Sequence, residues 1–402
     1  MGEKQMSFFR GRETVKKGMT KLRLILKLIL GIVAGIVVGL IGFEPLTKVF
    51  VTFEMIFGQF IEFMIPLIIL FFIASGVANL GSSSGRLVGL NVGAAYLSTI
   101  LAGVMAYFVA IAVMPMIASE QAAPEEGAGL EPFFELEIDP LMGVITALVM
   151  AFMFGIAMSK LKTTSLINLF DQGKAVIELV IKGIIIPLLP FFIAGIFAGI
   201  AEEGTVFATL QIFGFILLAA IALHWVWISL QYILVGLYTG RNPLQLLKTM
   251  LPAYFTALGT MSSAATIPVT VKQARENGVR EEVANFSVPL GATIHLAGSV
   301  ITIVSCAVAV MAVLDGFTIP GFFEMLPVIA MLGIIMVAAP GVPGGAIMAA
   351  IGVLTSMLGF TEAAVGLMMA LYMAQDSFGT AANVTGDGAI ALAIDKLTEK
   401  VK

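Results

Sequence analysis

The sequence predicts an all-α polytopic membrane protein of eight transmembrane helices and two re-entrant helical hairpins, arranged as inverted repeats. Three observations lead there. Hydrophobic residues make up 59% of the 402-residue chain and charged residues only 12%, against about a quarter charged in soluble domains, and mean hydropathy is +1.03. The remaining charges gather between apolar runs and alternate in sign, as loops on opposite membrane faces do. Two apolar runs break that alternation and carry helix-breaking residues at their centres.

Residues 1–27 are polar and basic (Lys4, Arg10, Arg12, Lys16, Lys17, Lys21, Arg23, Lys27). They read as a cytoplasmic anchor before a first span, and no cleavable signal peptide is visible. Membrane orientation accounts for this basic run without a nucleic-acid partner. Within 28–238, apolar runs near 28–43, 49–79, 88–116, 140–159, 174–201 and 205–238 supply six spans. The segment Ala118 to Asp139 is acidic (Glu120, Glu125, Glu126, Glu131, Glu135, Glu137) and is expected outside. Lys160 and Lys162 are expected inside, Glu202 and Glu203 outside, Arg241 and Lys248 inside. The single cysteine, Cys306, lies in an apolar run and excludes intrachain disulfides and thiolate metal clusters. The 42 glycines suit close helix packing and broken helices.

Beyond residue 248 the simple alternation fails twice. Lys272, Arg275 and Arg280 also look cytoplasmic, so 249–283 must enter and return on one side. Its stretch ALGTMSSAATIP, small, hydroxyl-rich and ending at Pro268, reads as a helix-breaking tip. Residues 284–314 form the seventh helix. A basic tail (Lys396, Lys400, Lys402) places the C-terminus inside as well, so one of the three last apolar runs cannot cross. The run 322–358, interrupted by AAPGVPGGA with Pro340 and Pro343, is the second hairpin, and 361–397 is the eighth helix. Irregular backbone at membrane depth is tolerated only inside protein or along a cavity, so both tips point to one cavity. An inverted pair of interrupted segments is also the best sequence pointer to a transport site at the midplane.

The eighth helix carries Asp376, Thr380, Asn383 and Asp387, at spacings that put all four on one face. Carboxylates in a hydrocarbon-spanning helix are expensive unless they face protein or a wet cavity, which makes the stripe a binding-site candidate. A polar seam that only joins helices is the competing reading, although such seams use Ser, Thr or Asn more than paired Asp.

The strings SSAATIP, GATIHLAGS, GVPGGA and NVTGD, in this order, resemble the dicarboxylate/amino acid:cation symporters. That family includes archaeal aspartate transporters and animal glutamate and neutral amino acid transporters. The resemblance implies a homotrimer in the plasma (cell inner) membrane, in contact with its lipids and with both termini cytoplasmic. Each protomer would pair a scaffold with a mobile transport domain, the latter holding both hairpins, helices seven and eight, and helices three and six, and moving as an elevator. It further implies that Asp376 binds the ammonium group of an amino acid substrate and Asn383 its α-carboxylate, with Thr380 and Ser299 beside it. Ser262 and Ser263 would supply carboxylate contacts from the first hairpin, and Val342 and Gly344 the gate of the second. Asp387 would bind sodium with backbone oxygens of Gly291 and Asn383, and Thr293 and His295 fall in the same cation-binding stretch. No cofactor is implied beyond Na+ or H+ as coupling ion.

The departures from the family pattern are specific. Gly379 stands where members with acidic substrates carry an arginine, and nothing nearby replaces it, so a small neutral amino acid is expected. The motif NMDGT reads HLAGS, putting His295 and Ala297 where Asn and Asp help to hold another sodium ion. His295 is either a proton carrier or a neutral, hydrogen-bonded core residue. His224 reads as structural, and Ser98 and Thr99 replace a family hydroxyl pair in a place where helix packing explains them equally well. A channel or receptor-like protein is the rival class. An enzyme is not expected, since no HExxH, paired catalytic His/Cys pattern or phosphate loop is present.

Overall fold

The computed structural model describes residues 26–80, 85–118, 130–134, 136–161, 164–202, 204, 206–314, 316–337, 339 and 344–399. The basic residues before position 26, most of the acidic 118–139 segment and Val342 lie outside them. Every regular element among the described residues is helical: α1 Leu26–Ile41, α2 Glu44–Leu80, α3 Gly85–Ala118, α4 Val144–Leu161, α5 Thr164–Val180, α6 Ile186–Glu202, α7 Val206–Thr239, α8 Pro243–Thr260, α9 Ser263–Glu276, α10 Glu281–Ile294, α11 Ala297–Val313, α12 Phe322–Met336, α13 Gly345–Leu358 and α14 Glu362–Glu399. A π-turn at Ile181–Ile185 joins α5 to α6 without interrupting the helix. By length and composition, six of the described helical stretches are apolar and long enough to cross a membrane, with α5–α6 and α10–α11 each counting as one. The α14 helix has 38 residues but is not among the six, its polar stripe and terminal charges setting it apart.

Packing divides the helices into two groups. In the first, α2 packs against α4, α5 and α6. The α1 helix lies on α6 through Gly31, Gly35 and Gly39, whose Cβ atoms would fall 2.3, 2.3 and 2.4 Å from the carbonyl oxygens of Pro190, Ala194 and Ala198. Such small-residue stripes let backbones approach where apolar burial offers little driving force. In the second group α14 packs against α7, α8, α9, α10 and α11, and α3 packs against α11 and α12. The α13 helix touches both groups, lying against α2 and α4 as well as α12 and α14.

Local chemistry sets the breaks that matter. Asn242 caps α8, its side chain accepting from the Leu244 and Gln245 N–H groups, with Pro243 in the first helical position. The helix pair α8–α9 therefore runs from Pro243 to Glu276, several residues earlier than the sequence reading of 249–283. Its turn is Met261–Ser262, where Met261 adopts a left-handed φ of 48° and Ser262 caps α9. Pro268, expected at the tip, sits inside α9. The seventh helix is likewise not continuous. It stops at Ile294, passes through extended His295 and a non-helical Leu296, and restarts at Ala297. At the far end, Arg280 donates through Nε to Asp395 Oδ1 (2.7 Å) and through Nη2 to Thr398 Oγ1 (2.6 Å), fastening the α9–α10 turn to α14.

Candidate functional site

A cavity of about 320 Å³ lies at the seam between the two packing groups. The second group contributes the α9 tip (Met261, Ser262, Ser263), the end of α10 (Thr293), the start of α11 (Ser299), and Tyr372, Asp376, Thr380 and Asn383 of α14. The first group contributes Phe72 and Ser75 of α2 and Lys174 of α5, and Ala346 at the start of α13 completes the wall. The N-terminal turns of α9, α11 and α13 all border this space, and each carries a partial positive charge. Asp376 stands among them with 5% exposure. Its Oδ2 accepts from the Gly344 N–H (2.9 Å), so the start of α13 rests on the α14 carboxylate. Gly344 reaches that position with a left-handed φ of 73°.

Asn383 braces the break in the seventh helix. Its Oδ1 accepts from the N–H groups of Gly298 (2.7 Å) and Ser299 (3.3 Å), and its Nδ2 donates to Ser299 Oγ (3.0 Å). The helix α11 has no side-chain cap of its own, so Asn383 caps it from another helix. The other Nδ2 hydrogen of Asn383 makes no hydrogen bond among the described residues. Tyr372 donates to the same Ser299 Oγ (3.1 Å), a contact the sequence reading missed.

A second buried polar cluster lies one turn along α14. Asp387 Oδ1 is hydrogen-bonded to His295 Nδ1 (3.0 Å), and His295 Nε2 to Ser98 Oγ (2.8 Å), which also accepts from Gln231 Nε2 (2.9 Å). A neutral imidazole with its proton on Nδ1 satisfies every bond in that chain. Gly386 makes room for it, since a Cβ there would fall 2.6 Å from His295 Cε1. Asp387 Oδ2 is buried and has no hydrogen-bond partner among the described residues. A bare carboxylate oxygen in such surroundings suits a hard cation. Gly291 lies directly over this carboxylate, its Cβ position 2.7 Å from Asp387 Oδ1, and its carbonyl accepts the His295 N–H (2.8 Å). Thr293 is apart from the cluster, facing the cavity and donating to the Leu290 carbonyl.

Two expectations need correction. Gly379 does not border the cavity. Its Cα–H side meets α11, with a Cβ position 3.4 Å from Gly298 C and O and from Thr302 Oγ1, and a Cβ on Gly298 would strike the Gly379 carbonyl at 2.4 Å. The close backbone crossing requires glycine at Gly298, whereas a Cβ at Gly379 would make ordinary van der Waals contact with α11. Nor is the cavity without a cation, because Lys174 supplies one from a distant part of the chain. Of the remaining residues, His224 is buried and hydrogen-bonded to the Gly298 carbonyl (3.0 Å) and Thr302 Oγ1 (3.1 Å), as a packing histidine would be. Thr99 bonds back to the Ala95 carbonyl within its own helix, Ala297 is buried at the α11 start, and the buried Cys306 thiol accepts from Gln375 Nε2 (3.5 Å).

Residues 24–397 match the model of a family described as the sodium:dicarboxylate symporter family. Among curated proteins, the chain is 30% identical to human (Homo sapiens) excitatory amino acid transporter 1 over 256 residues, which is 62% of this chain and 46% of that protein. It is 26% identical to human neutral amino acid transporter B(0) over 252 residues, 61% of this chain and 46% of that protein. The rat (Rattus norvegicus) neutral amino acid transporter B(0) aligns over 268 residues at 25% identity, 65% of this chain and 47% of that protein. The chain thus spans about half the length of the curated relatives it matches.

Proposed function

The chain belongs to the sodium:dicarboxylate symporter family, and from that premise we propose that it is a secondary active transporter carrying a small neutral amino acid across a membrane, coupled to Na+. The observation that carries this reading is the pairing of Asp376 with three helix N-termini around one cavity. A buried carboxylate attracts an ammonium group, and helix N-termini attract a carboxylate. Together they suit the α-amino and α-carboxylate ends of a zwitterion, with Ser262, Ser263, Thr380 and the free Asn383 hydrogen as direct partners.

In this reading α1 and α14 join the six long apolar stretches to make eight spans, and α8–α9 and α12–α13 are re-entrant hairpins. The α2-centred group is the scaffold of a homotrimer and the α14-centred group the elevator, in a plasma membrane with both termini cytoplasmic. The seam between the groups is where such a movement would slip. Na+ is taken up at Asp387 Oδ2, whose lone pairs are unengaged. Because Ala297 lacks a carboxylate, one or two ions rather than three accompany each substrate. One observation favours a second reading, in which a proton replaces sodium: the unbroken chain Asp387–His295–Ser98–Gln231. The test is uptake of labelled amino acids into proteoliposomes, with a sodium gradient, a proton gradient or neither. Neutral amino acid uptake driven by sodium supports the first reading, uptake driven only by protons the second, and flux without trans-stimulated exchange would place the protein among channels.

A further inference from the structure

Lys174 is left over by this account. It lies on α5, in the packing group that contributes none of the residues assigned to substrate, yet it borders the same cavity as Asp376, Ser262, Ser263 and Thr380. Its position is built. Gly173 allows α5 to press on α2, since a Cβ there would fall 2.2 Å from the Phe71 ring. One turn earlier, Ser75 of α2 donates to Asp171 Oδ1 (2.6 Å), pinning the helix in rotation. The Lys174 ammonium then sits 5.2 Å from the centre of the Phe72 ring. It enters none of the ion pairs formed among the described residues. An aromatic face attracts an ammonium group but does not neutralise it.

Of the described residues around the cavity, Lys174 is the one cation and Asp376 the one anion. A zwitterion needs both signs. Asp376 answers its ammonium group, whereas the hydroxyls, amide and helix N-termini facing its carboxylate bear only partial charges. We infer that Lys174 is a substrate-binding residue that pairs with the α-carboxylate of the transported amino acid across the seam between the two helix groups. This rests on the amino acid reading above and adds a specificity-determining charge to it. The site would select substrates bearing both a free amino group and a free carboxylate, and discriminate against amines and amino acid amides.

The experiment uses the full chain in proteoliposomes and measures competition by L-alanine and by L-alaninamide against labelled L-alanine uptake. In Lys174→Met, half-maximal competition by L-alanine should require about tenfold more ligand, while that by L-alaninamide should change less than about twofold. Lys174→Arg, which keeps the charge, should restore L-alanine competition to near the unmodified level. Equal losses for both ligands would mean that Lys174 only shapes the seam, and would overturn the inference. Unchanged L-alanine competition in Lys174→Met would overturn it while leaving the amino acid reading intact. A loss seen only for aspartate or glutamate would assign the lysine to a side-chain carboxylate, which also overturns it. If the unmodified chain takes up no amino acid at all, the functional reading falls and this inference falls with it.

Discussion

The two helix pairs that close on the cavity are built alike and held differently. In α8–α9 the turn is knit by its own side chains: Thr260 Oγ1 lies 3.1 Å from Thr266 Oγ1, Thr266 donates to the Ser262 carbonyl (2.9 Å), and Ser262 caps the next helix. Its base is fixed as well, by Asn277 donating to the Leu246 carbonyl (2.9 Å) and by Arg241 donating to the Asn277 carbonyl. The α12–α13 pair is anchored at its far end, where Tyr107 donates to the Pro320 carbonyl (2.8 Å). Its tip is joined to α14 by the Gly344 N–H on Asp376. The carboxylate assigned to the substrate therefore also holds the second tip. Substrate and tip compete for Asp376 or share it, and the first tip is under no such constraint.

Substitutions can break or sharpen that contrast. The largest effect is expected at Asp376. Asp376→Asn keeps the shape and an acceptor for Gly344 but removes the charge, and losing a desolvated ammonium partner should lower transport by at least about tenfold. Wild-type uptake by this variant would detach the stripe from the substrate. Next comes the Gly298–Gly379 crossing. Gly379→Arg, which a naive reading would make a switch to acidic substrates, should instead push α11 off α14, with overpacking costing roughly 1–3 kcal/mol. It should appear as a lower melting temperature, and a folded variant that transports aspartate would show that the side chain finds the cavity after all. Gly344→Ala should strain a left-handed position and crowd Met373 Sδ, 2.7 Å from the new Cβ. The expected result is a severalfold change in substrate affinity with the first hairpin untouched, read from binding curves and proteolysis of the α12–α13 segment. Smallest, Asn277→Ala should cost about 1 kcal/mol of stability and leave affinity unchanged, because it loosens only the base of α8–α9.

The contrast also shows which features were legible in the sequence. Both interruptions stood out because small hydroxyl-rich or Pro/Gly-rich strings favour caps and turns, and the α14 stripe stood out because carboxylates are rare among apolar neighbours. The break at His295–Leu296 did not. Neither residue is a helix breaker, and what ends α10 is tertiary: Asn383 takes the first N–H groups of α11, and Asp387 takes the His295 ring. Gly379 shows what helical spacing leaves open, a face without its neighbour: its Cβ position meets the Gly298 backbone at 3.4 Å. Lys174 was missed because a charge at the edge of an apolar run looks like a span boundary. The helix in fact begins at Thr164 and continues through a π-turn, which carries Lys174 well inside the element. The alternation of apolar Leu166, Ile167, Phe170 and Ile177 with polar residues was the signal that could have extended it.

The central claim is that α14 binds two charges with two carboxylates, an ammonium group at Asp376 and a sodium ion at Asp387. Calorimetric titration of a small neutral amino acid into the purified protein, repeated over a series of sodium concentrations at fixed ionic strength, tests it most directly. The account predicts that affinity rises with sodium in the unmodified chain and that Asp387→Asn flattens this dependence. Equal affinity with and without sodium, unchanged by Asp387→Asn, would contradict it.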